Sequence, residues 1–293
     1  MPTKDRLLLY LKERKGNWVS CGYLLEKTSE LLLPNEIREG LDTKVFGKTD
    51  IVYFRETDST NTRAKDLAAA GALEGTLVVS ESQKKGRGRK GRNWFSPSQE
   101  GIYASLILRP NISPGEAPKI TLLTAVAVAE TLLSLTRLRP NIKWPNDILV
   151  NGKKIAGILT EISTEMDAID FIVVGLGLNV NTPCFPEEIR DKATSILIEA
   201  GRNLPRVRLI REYLKWYEEY YEIFKGIGFE PVMKRWKELT NIIGRRIMVE
   251  VIGKRYIGEV QDIDKDGFLI LKDNKGKSHR ISSGDVTFYP QHG

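Results

Sequence analysis

The sequence predicts an α+β protein with a mixed central sheet, a small C-terminal β-barrel and a short N-terminal helical segment. Helix-like and strand-like apolar patterns are interspersed from residue 51 to residue 224, which indicates a mixed sheet with helices packed on it. The Asn151-Gly152 pair lies between two apolar runs and predicts a tight β-hairpin. Beyond Gly244 only short β runs separated by Gly- and Asp-rich turns remain, a pattern typical of a small barrel.

Local patterns predict each element in chain order. Leucines at helical spacing predict a first helix over 4–15, which Gly16 ends. The segment 58–61 has the residue types of a helix cap, and its helix runs to about Ala70. The predicted helices cover 4–15, 34–41, 58–70, 119–135 and 209–224. The predicted strands cover 51–54, 76–80, 102–108, 148–150, 155–159, 169–174, 248–252, 256–260, 268–271 and 279–281.

These elements divide the chain into three units, an N-terminal segment (1–47), a central domain (48–240) and a C-terminal β module (241–293). The helix at 119–135 is mostly apolar, so we expect it to be buried on much of its surface. The aromatic residues of the helix at 209–224 are expected to belong to the core.

The composition narrows the class of protein. With 293 residues, 41% of them hydrophobic and 28% charged, the chain has the composition of a soluble globular protein. No apolar run reaches the length of a bilayer, the N-terminus lacks a signal-peptide cleavage region, and the chain has only 2 cysteines. We therefore expect a reducing cytoplasm. The formal net charge of +7 favours anionic partners such as a nucleotide, a nucleic acid or an acidic protein.

Residues 84–92 read KKGRGRKGR and form a basic, glycine-rich loop before Trp94. Glycines let backbone N–H groups approach an anion, and arginines bind phosphate oxygens in bidentate fashion. On these residues alone three interpretations stay open: a solvated loop, a nucleic-acid patch, or a loop that closes on a phosphate.

Two further motifs carry chemistry-bearing residues. In Lys143-Trp144-Pro145-Asn146-Asp147 a strand lysine precedes a rigid turn, so a cation that can neutralise a phosphoryl group lies beside oxygen-bearing side chains; an ordinary exposed turn is the alternative. The stretch 175–179, GLGLN, lacks the third glycine and the following helix of a dinucleotide fingerprint. It is better interpreted as a strand on which a ligand lies, or as a bend. Neither a Ser-His-Asp set nor a Cys/His zinc cluster is present in the sequence.

Taken together, four blocks resemble the biotin protein ligases of bacterial type, including those that also repress the biotin operon. The blocks are 58–61, Gln83 with GRGRKGRNWFSP (86–97), KWPNDILVNGKKIAGIL (143–159) and GLGLNVN (175–181). The resemblance implies a class II synthetase-like catalytic domain over 48–240 and an SH3-like barrel over 241–293. It also implies a two-step reaction, in which biotin and ATP give biotinyl-5′-AMP and pyrophosphate, and a lysine of a biotin carboxyl carrier protein then takes the biotin.

The resemblance assigns roles to individual residues. Lys143 and Arg89 are the expected catalytic residues, and Asp147 is the expected ligand of the Mg²⁺ that accompanies ATP. The expected biotin-binding residues are Ser59, Thr60, Asn61, Gln83, Gly86, Arg87, Gly88, Arg89, Lys143, Gly157, Gly175 and Gly177. The expected ATP- or adenylate-binding residues are Arg87, Arg89, Arg92, Trp94, Lys143, Asn146 and Asn179. The family also suggests a homodimer and no membrane attachment.

Two features depart from the family pattern. Lys84 and Lys85 stand where a small residue is usual, and they have no assigned role. Between a segment that resembles the first helix of a winged helix-turn-helix and one that resembles its exit, only Cys21 remains, so the recognition helix and wing are missing by natural loss or by deletion. We therefore expect no sequence-specific operator DNA binding. The competing hypotheses are a lipoate–protein ligase and a non-enzymatic nucleic-acid-binding protein that uses 84–92 as its patch.

Overall fold

A computed structural model describes residues 30–251 and 253–289 of the chain. The predicted helix at 4–15 and most of the proposed helix-turn-helix remnant lie outside these residues. The described helices are α1 (Pro34–Arg38), α2 (Thr60–Ala69), α3 (Ala117–Leu135), α4 (Glu187–Arg190), α5 (Ile196–Ala200), α6 (Arg206–Gly226) and α7 (Glu230–Glu238). The strands are β1 (Ile51–Phe54), β2 (Leu77–Ser80), β3 (Gly101–Leu108), β4 (Asn141–Lys143), β5 (Asp147–Val150), β6 (Lys153–Glu165), β7 (Ala168–Asn179), β8 (Arg246–Val251), β9 (Lys254–Ile263), β10 (Leu269–Asp273), β11 (Ser278–Ile281) and β12 (Asp285–Phe288).

The central domain contains a mixed seven-stranded sheet in the order β1-β2-β3-β7-β6-β5-β4. Only β1 and β2 pair in parallel, because α2 makes the crossover between them, and the other pairs are antiparallel. The predicted hairpin is confirmed: Asn151 and Gly152 both have positive φ, 50° and 79°, as a two-residue turn between antiparallel strands requires.

The two faces of the sheet are covered differently. On one face, Ala64 and Ala68 of α2 pack on Val78, Ile107 and Val173 in a small apolar cluster. On the other face, α3 and α6 form the main core with the sheet. Because the small cluster covers only part of its face, the rest of that face stays available for a site.

Helix α3 is the most deeply buried helix of the main core, as its sequence predicts. Residues Ile120 to Leu132 include one buried side chain after another, among them Leu123, Val126 and Leu132. The segment containing α3 is long and apolar enough to cross a membrane by length and composition, but 67% of its apolar window is buried inside the protein. That burial is typical of a core helix.

The aromatic residues of α6 lie largely in the core, which confirms their predicted role. Tyr213, Tyr217 and Tyr221 are buried on one face of the helix. The ring of Phe46 packs edge-on against the rings of Tyr217 and Tyr221, with centroids 5.0 Å and 5.4 Å away. The segment before β1 is thereby fixed to α6.

The C-terminal residues form a five-stranded antiparallel sheet in the order β11-β10-β9-β8-β12. The predicted C-terminal β module is confirmed as an antiparallel sheet, but its barrel is not closed by strand pairing, since within the described residues β11 and β12 are its two edges. The sequence pattern also missed β12, which is only four residues long. The indole N–H of Trp144, which follows β4, donates to the carbonyl of Gly267, in the turn before β10, at 3.0 Å, so the central domain contacts the C-terminal module.

Candidate active site

Two glycines on neighbouring strands form the floor of the site. Gly157 of β6 pairs directly with Gly177 of β7, and Asp147 of β5 pairs with Gly157. Lys143 of β4 pairs in turn with Asp147. Directly paired residues point to the same side of a sheet. The row that begins with the two glycines is therefore followed by the carboxylate of Asp147 and then by the amine of Lys143.

The GLGLN stretch is part of β7 rather than a bend after it, and its alternation explains its composition. Gly175, Gly177 and Asn179 lie on the cavity's face of β7, and the two glycines line the cavity, while Leu176 and Leu178 belong to the main core. A Cβ atom at Gly175 would lie 2.0 Å from Oδ1 of Asn61, so no larger residue fits there without displacing that side chain.

Trp94 lies on this floor. A Cβ atom at Gly177 would be 2.3 Å from the indole, and one at Gly157 would be 2.9 Å from it. The indole Nε1 is buried, and no atom in the described part of the chain accepts its hydrogen bond. The cavity left beside the indole is small, about 40 Å³. A ligand that binds on the floor must therefore displace the Trp94 side chain. The displaced indole can then form a side wall of the cavity and donate a hydrogen bond from Nε1.

The polar end of the cavity is formed by 59–61 and Gln83. The helix predicted over 58–70 is present as α2, which begins at Thr60, but the Ser59 side chain makes no cap hydrogen bond. Instead, the side-chain amide oxygen Oε1 of Gln83 accepts from the backbone N–H of Thr60 at 2.8 Å. The Ser59 hydroxyl is therefore not used by the helix, which is what a ligand-binding role requires.

Asn61 has a fixed amide orientation. Its Nδ2 donates to the carbonyl of Leu159 at 3.1 Å and to Glu161 at 3.0 Å, and its Oδ1 accepts from the Ser105 hydroxyl at 2.7 Å. With both amide protons engaged, the free lone pair of Oδ1 is the group that Asn61 offers to a ligand N–H.

The basic loop contacts both sheets. Arg87 forms a bidentate pair with Glu161 of β6, with both N–O distances 2.9 Å. Arg89 donates to Oδ1 of Asn146 at 2.9 Å and to the carbonyl of Gly284 at 3.4 Å. The loop therefore lies over the cavity. Arg87 fixes it to the central sheet, and Arg89, two residues later, also contacts the C-terminal module.

The end of the loop is held by one carboxylate of the C-terminal sheet. Lys90 pairs with Asp285 at 3.2 Å, and Arg92 pairs with the same carboxylate. Although burial opposes it, Lys90 and Arg92 hold the pKa of Asp285 below its ordinary value. At the start of the loop, Lys84 pairs with Glu56 at 2.7 Å on the exposed surface, so its amine is directed to another carboxylate.

Lys154 is a site residue that the sequence analysis missed. Its ammonium pairs with Asp147 at 2.6 Å and lies 5.3 Å from the centre of the Trp94 ring. Strict alternation from Gly157 would put Lys154 on the opposite face, but the β5–β6 pairing shifts register, so that Ile148 pairs with Ala156 and Leu149 with Lys154. A bulge of this kind re-aims a side chain. The GKKIAGIL block contained the residue but gave no sign of this irregularity.

Lys143 lies outside the cavity lining. Its amine is 5.6 Å from the ring centre of Phe288. Burial lowers the pKa of Lys143 below its ordinary value, the nearby amine of Lys154 adds to the decrease, and Asp147 opposes it. Lys143 lies one strand farther from the glycine floor than Asp147, and its ammonium group is partly desolvated. It is therefore suited to an anionic group of the ligand that lies farther from the floor than the group near Lys154.

The structure brings most of the predicted residues together. Ser59, Thr60, Asn61, Gln83, Arg87, Gly88, Arg89, Trp94, Asn146, Gly157, Gly175 and Gly177 line one cavity with Lys154. Gly86, Lys143, Arg92, Asp147 and Asn179 do not line it. A second cavity of about 180 Å³ shares Arg89, Asn146 and Ile158 with the first and extends to Gly267 of the C-terminal sheet.

The predicted Mg²⁺ ligand, Asp147, does not offer a free carboxylate, because it is paired with Lys154. In the described ranges, no group of three His, Cys, Asp or Glu side chains could hold a metal ion. These residues do not fit a metal site of their own, and we derive no step through one.

Comparison with known proteins gives one consistent result. Residues 53–179 match the Biotin/lipoate A/B protein ligase family, and residues 242–289 match the Biotin protein ligase C terminal domain. The bifunctional ligase/repressor BirA of Bacillus subtilis is 39% identical over 267 residues, which cover 90% of this chain and 82% of the relative. The biotin–[acetyl-CoA-carboxylase] ligase of Mycobacterium tuberculosis is 35% identical over 245 residues, 79% of this chain and 86% of the relative. The structure of the biotin protein ligase from Aquifex aeolicus in complex with biotin and ATP superposes with a TM-score of 0.71 and 28% identity, over 82% of this chain and 98% of that one.

Proposed function

The chain belongs to the biotin protein ligase family, and we propose on that premise that it activates biotin with ATP and transfers it to a lysine of an acceptor protein. The observation that carries the proposal is that the cavity has two chemically different ends. At one end Asn61 lies against Gly175, together with the hydrogen-bonding groups of 59–60 and Gln83. At the other end Lys154 lies against Gly157, and Arg89 is bound to Asn146. A ligand with a polar ring and a distant carboxylate fits that division.

In the first step, a carboxylate oxygen of biotin attacks the α-phosphorus of ATP, and pyrophosphate leaves with the electron pair of the broken P–O bond. Negative charge accumulates on the α-phosphoryl oxygens. Lys154 and Arg89 lie at the cationic end of the cavity, where preorganised positive charge stabilises that transition state. Their positions are set before the ligand binds by Asp147 and Asn146.

In the second step, the amine of the acceptor lysine attacks the biotinyl carbonyl, an amide forms, and AMP leaves. The mixed anhydride is easily hydrolysed, so water must be kept away between the two steps. The loop that carries Arg87 and Arg89 spans the cavity from Glu161 to Gly284 and can perform that exclusion. Its glycines allow the opening that ligand entry requires.

A pyrophosphate-exchange assay tests the proposed reaction. The chain is incubated with ATP and labelled pyrophosphate, with biotin or with lipoate. We expect exchange with biotin and none with lipoate, because lipoate has no ureido group for Asn61 and its neighbours. Exchange supported by lipoate would favour the lipoate ligase alternative. Salt-sensitive nucleic-acid binding with no exchange for either acid would favour the non-enzymatic alternative.

Lys143 stays a predicted catalytic residue, and its lowered pKa makes the prediction specific. Because the pKa is below that of an ordinary lysine, the cationic form is lost at lower pH as the solution becomes alkaline. Adenylate formation should therefore decline on the alkaline side, and Lys143→Arg should extend the plateau to higher pH, since arginine stays charged. Rates of single-turnover adenylation measured across the alkaline range check this. If the adenylation rate declined at the same alkaline pH in the wild type and in Lys143→Arg, Lys143 would not be one of the residues that stabilise the developing charge.

The finer assignments are also proposals. Mg²⁺ is proposed to enter as MgATP, and the acceptor is proposed to be a biotin carboxyl carrier domain, in agreement with the relative named for acetyl-CoA carboxylase. A homodimer is proposed from the family resemblance, and a cytoplasmic location from the low cysteine content. The expected absence of operator binding concerns residues before Glu30, outside the described range, and stays a prediction that a mobility-shift assay tests.

A further inference from the structure

Glu161 is a pocket-side carboxylate that the proposed reaction does not use. It lies on β6, where it pairs with Val173 of β7, and it points to the same side of the sheet as Gly157. Its side chain is only 17% exposed. Glu161 does not line the cavity itself, but a carboxylate beside a site for anionic ligands opposes their binding unless its charge is neutralised. The partners of Glu161 therefore decide its effect on the site.

Those partners come from two different recognition elements. From the loop, Arg87 binds both carboxylate oxygens, each at 2.9 Å. From α2, the Asn61 amide donates to Oε2 at 3.0 Å, and Lys65 lies 3.5 Å from Oε1. A bidentate guanidinium pair is the most geometrically defined form of ion pair, and its planar shape fixes where the loop meets the sheet.

The same carboxylate also sets the direction of the Asn61 amide. Nδ2 has two protons, one directed to the Leu159 carbonyl and the other to Glu161. Without an acceptor at Glu161, the amide has one unsatisfied proton and less reason to keep Oδ1 directed at Ser105 and the cavity.

We propose that Glu161 is a positioning residue that links head-group recognition to loop closure, by anchoring the loop through Arg87 and orienting the Asn61 amide with one carboxylate. The proposal rests on the proposed function for its kinetic consequence, but the anchor itself is a property of the chain. It assigns Arg87 a protein carboxylate as its partner, and it leaves Lys154 and Arg89 for the reacting anions.

The test compares Glu161→Gln, Glu161→Asp and Glu165→Gln. Glu165 is an exposed residue at the end of the same strand, so its substitution is the matched control. Trypsin cleaves after lysine and arginine, and 84–92 is rich in both, so cleavage of the unliganded protein within the loop reports its anchoring. We expect Glu161→Gln to speed that cleavage about fivefold or more, since a charge-assisted pair is lost. Glu165→Gln should match the wild type, and Glu161→Asp should be intermediate.

The kinetic arm uses pyrophosphate exchange. For Glu161→Gln we expect the KM for biotin to rise about tenfold while kcat changes less than about threefold, because ligand capture is weakened and the reacting cations stay in place. Arg87→Gln should raise the KM in the same direction, and the double substitution should add little to the larger single effect.

Three results would overturn the proposal. One is wild-type cleavage and wild-type KM in Glu161→Gln. Another is an equal loss in Glu161→Gln and Glu161→Asp with a lowered melting temperature and a fall in kcat, which a merely structural role gives. The third is full additivity with Arg87→Gln. If the wild-type chain supports no exchange with biotin, the proposed function fails, and the cleavage comparison still decides whether Glu161 anchors the loop.

Discussion

Replacing Lys154 with glutamine is expected to slow biotin adenylation by about 100- to 1000-fold, the usual effect of removing one preorganised group that stabilises transition-state charge. Lys154 is positioned by Asp147 at 2.6 Å and lies over the indole that covers the glycine floor. Glutamine keeps a polar end group and most of the aliphatic chain, one atom shorter, but it removes the charge. The binding of the biotin ring should be nearly unchanged, because Asn61 and Gln83 lie at the other end of the cavity.

The chain provides its own control for this measurement. Lys153 is the adjacent lysine, it is exposed, and it does not line the cavity. Single-turnover adenylation should be at the wild-type rate in Lys153→Gln and far slower in Lys154→Gln. If the two variants behaved alike, the role given to Lys154 would be wrong. The rate of Lys143→Gln in the same assay shows whether Lys143, which the resemblance assigns, or Lys154, which lines the cavity, contributes more to adenylation.

Replacing Gly177 with alanine is expected to weaken biotin binding by about 10- to 100-fold, from the roughly 1–3 kcal/mol that overpacking costs. The added Cβ atom would lie 2.3 Å from the Trp94 ring, so the indole could not rest on the floor, and a ligand there would meet the same obstacle. The cost falls on the loop and the ligand rather than on the core, because Leu176 and Leu178 keep their places.

Gly226→Ala is the matched control, since a Cβ atom at that position has no heavy atom within 4 Å. Isothermal titration with biotin and a melting curve should show weakened binding in Gly177→Ala at nearly unchanged melting temperature. A large fall in melting temperature for Gly177→Ala, or wild-type affinity, would contradict the assigned role of the glycine floor.

Local signals predicted much of the fold. The Asn151-Gly152 turn, the helix that follows 58–61 and the buried α3 depend on neighbouring residues, and all three are present, although the Ser59 side chain does not cap α2. The strand predicted at 169–174 continues for five more residues through GLGLN, as the preferred interpretation of that stretch predicts, because β3 and β6 pair with it on both sides. The short β12 and the open C-terminal sheet depend on long-range pairing that no local pattern reveals.

The site shows the same division. Motif blocks predicted twelve of the cavity residues, because each block supplies its residues from one short stretch. Lys154 depends on a bulge, Glu161 on a neighbouring arginine from a loop 74 positions away, and Asp285 on a contact between two sheets. The roles of these side chains depend on neighbours that are distant in the sequence. The local strand pattern around each of them would be the same without those neighbours, so it could not predict the roles.

The indole on the glycine floor also has a calorimetric consequence. Trp94 already keeps the apolar part of the floor away from water, so a ligand that lifts it exchanges one covered surface for another. The heat-capacity change of association then comes chiefly from apolar surface that is newly buried on the other face of the indole and under the closing loop. Its magnitude is smaller than the apolar area of the ligand alone implies. The polar end and the cations then supply the directional contacts of a ligand, and the floor supplies the shape of the site.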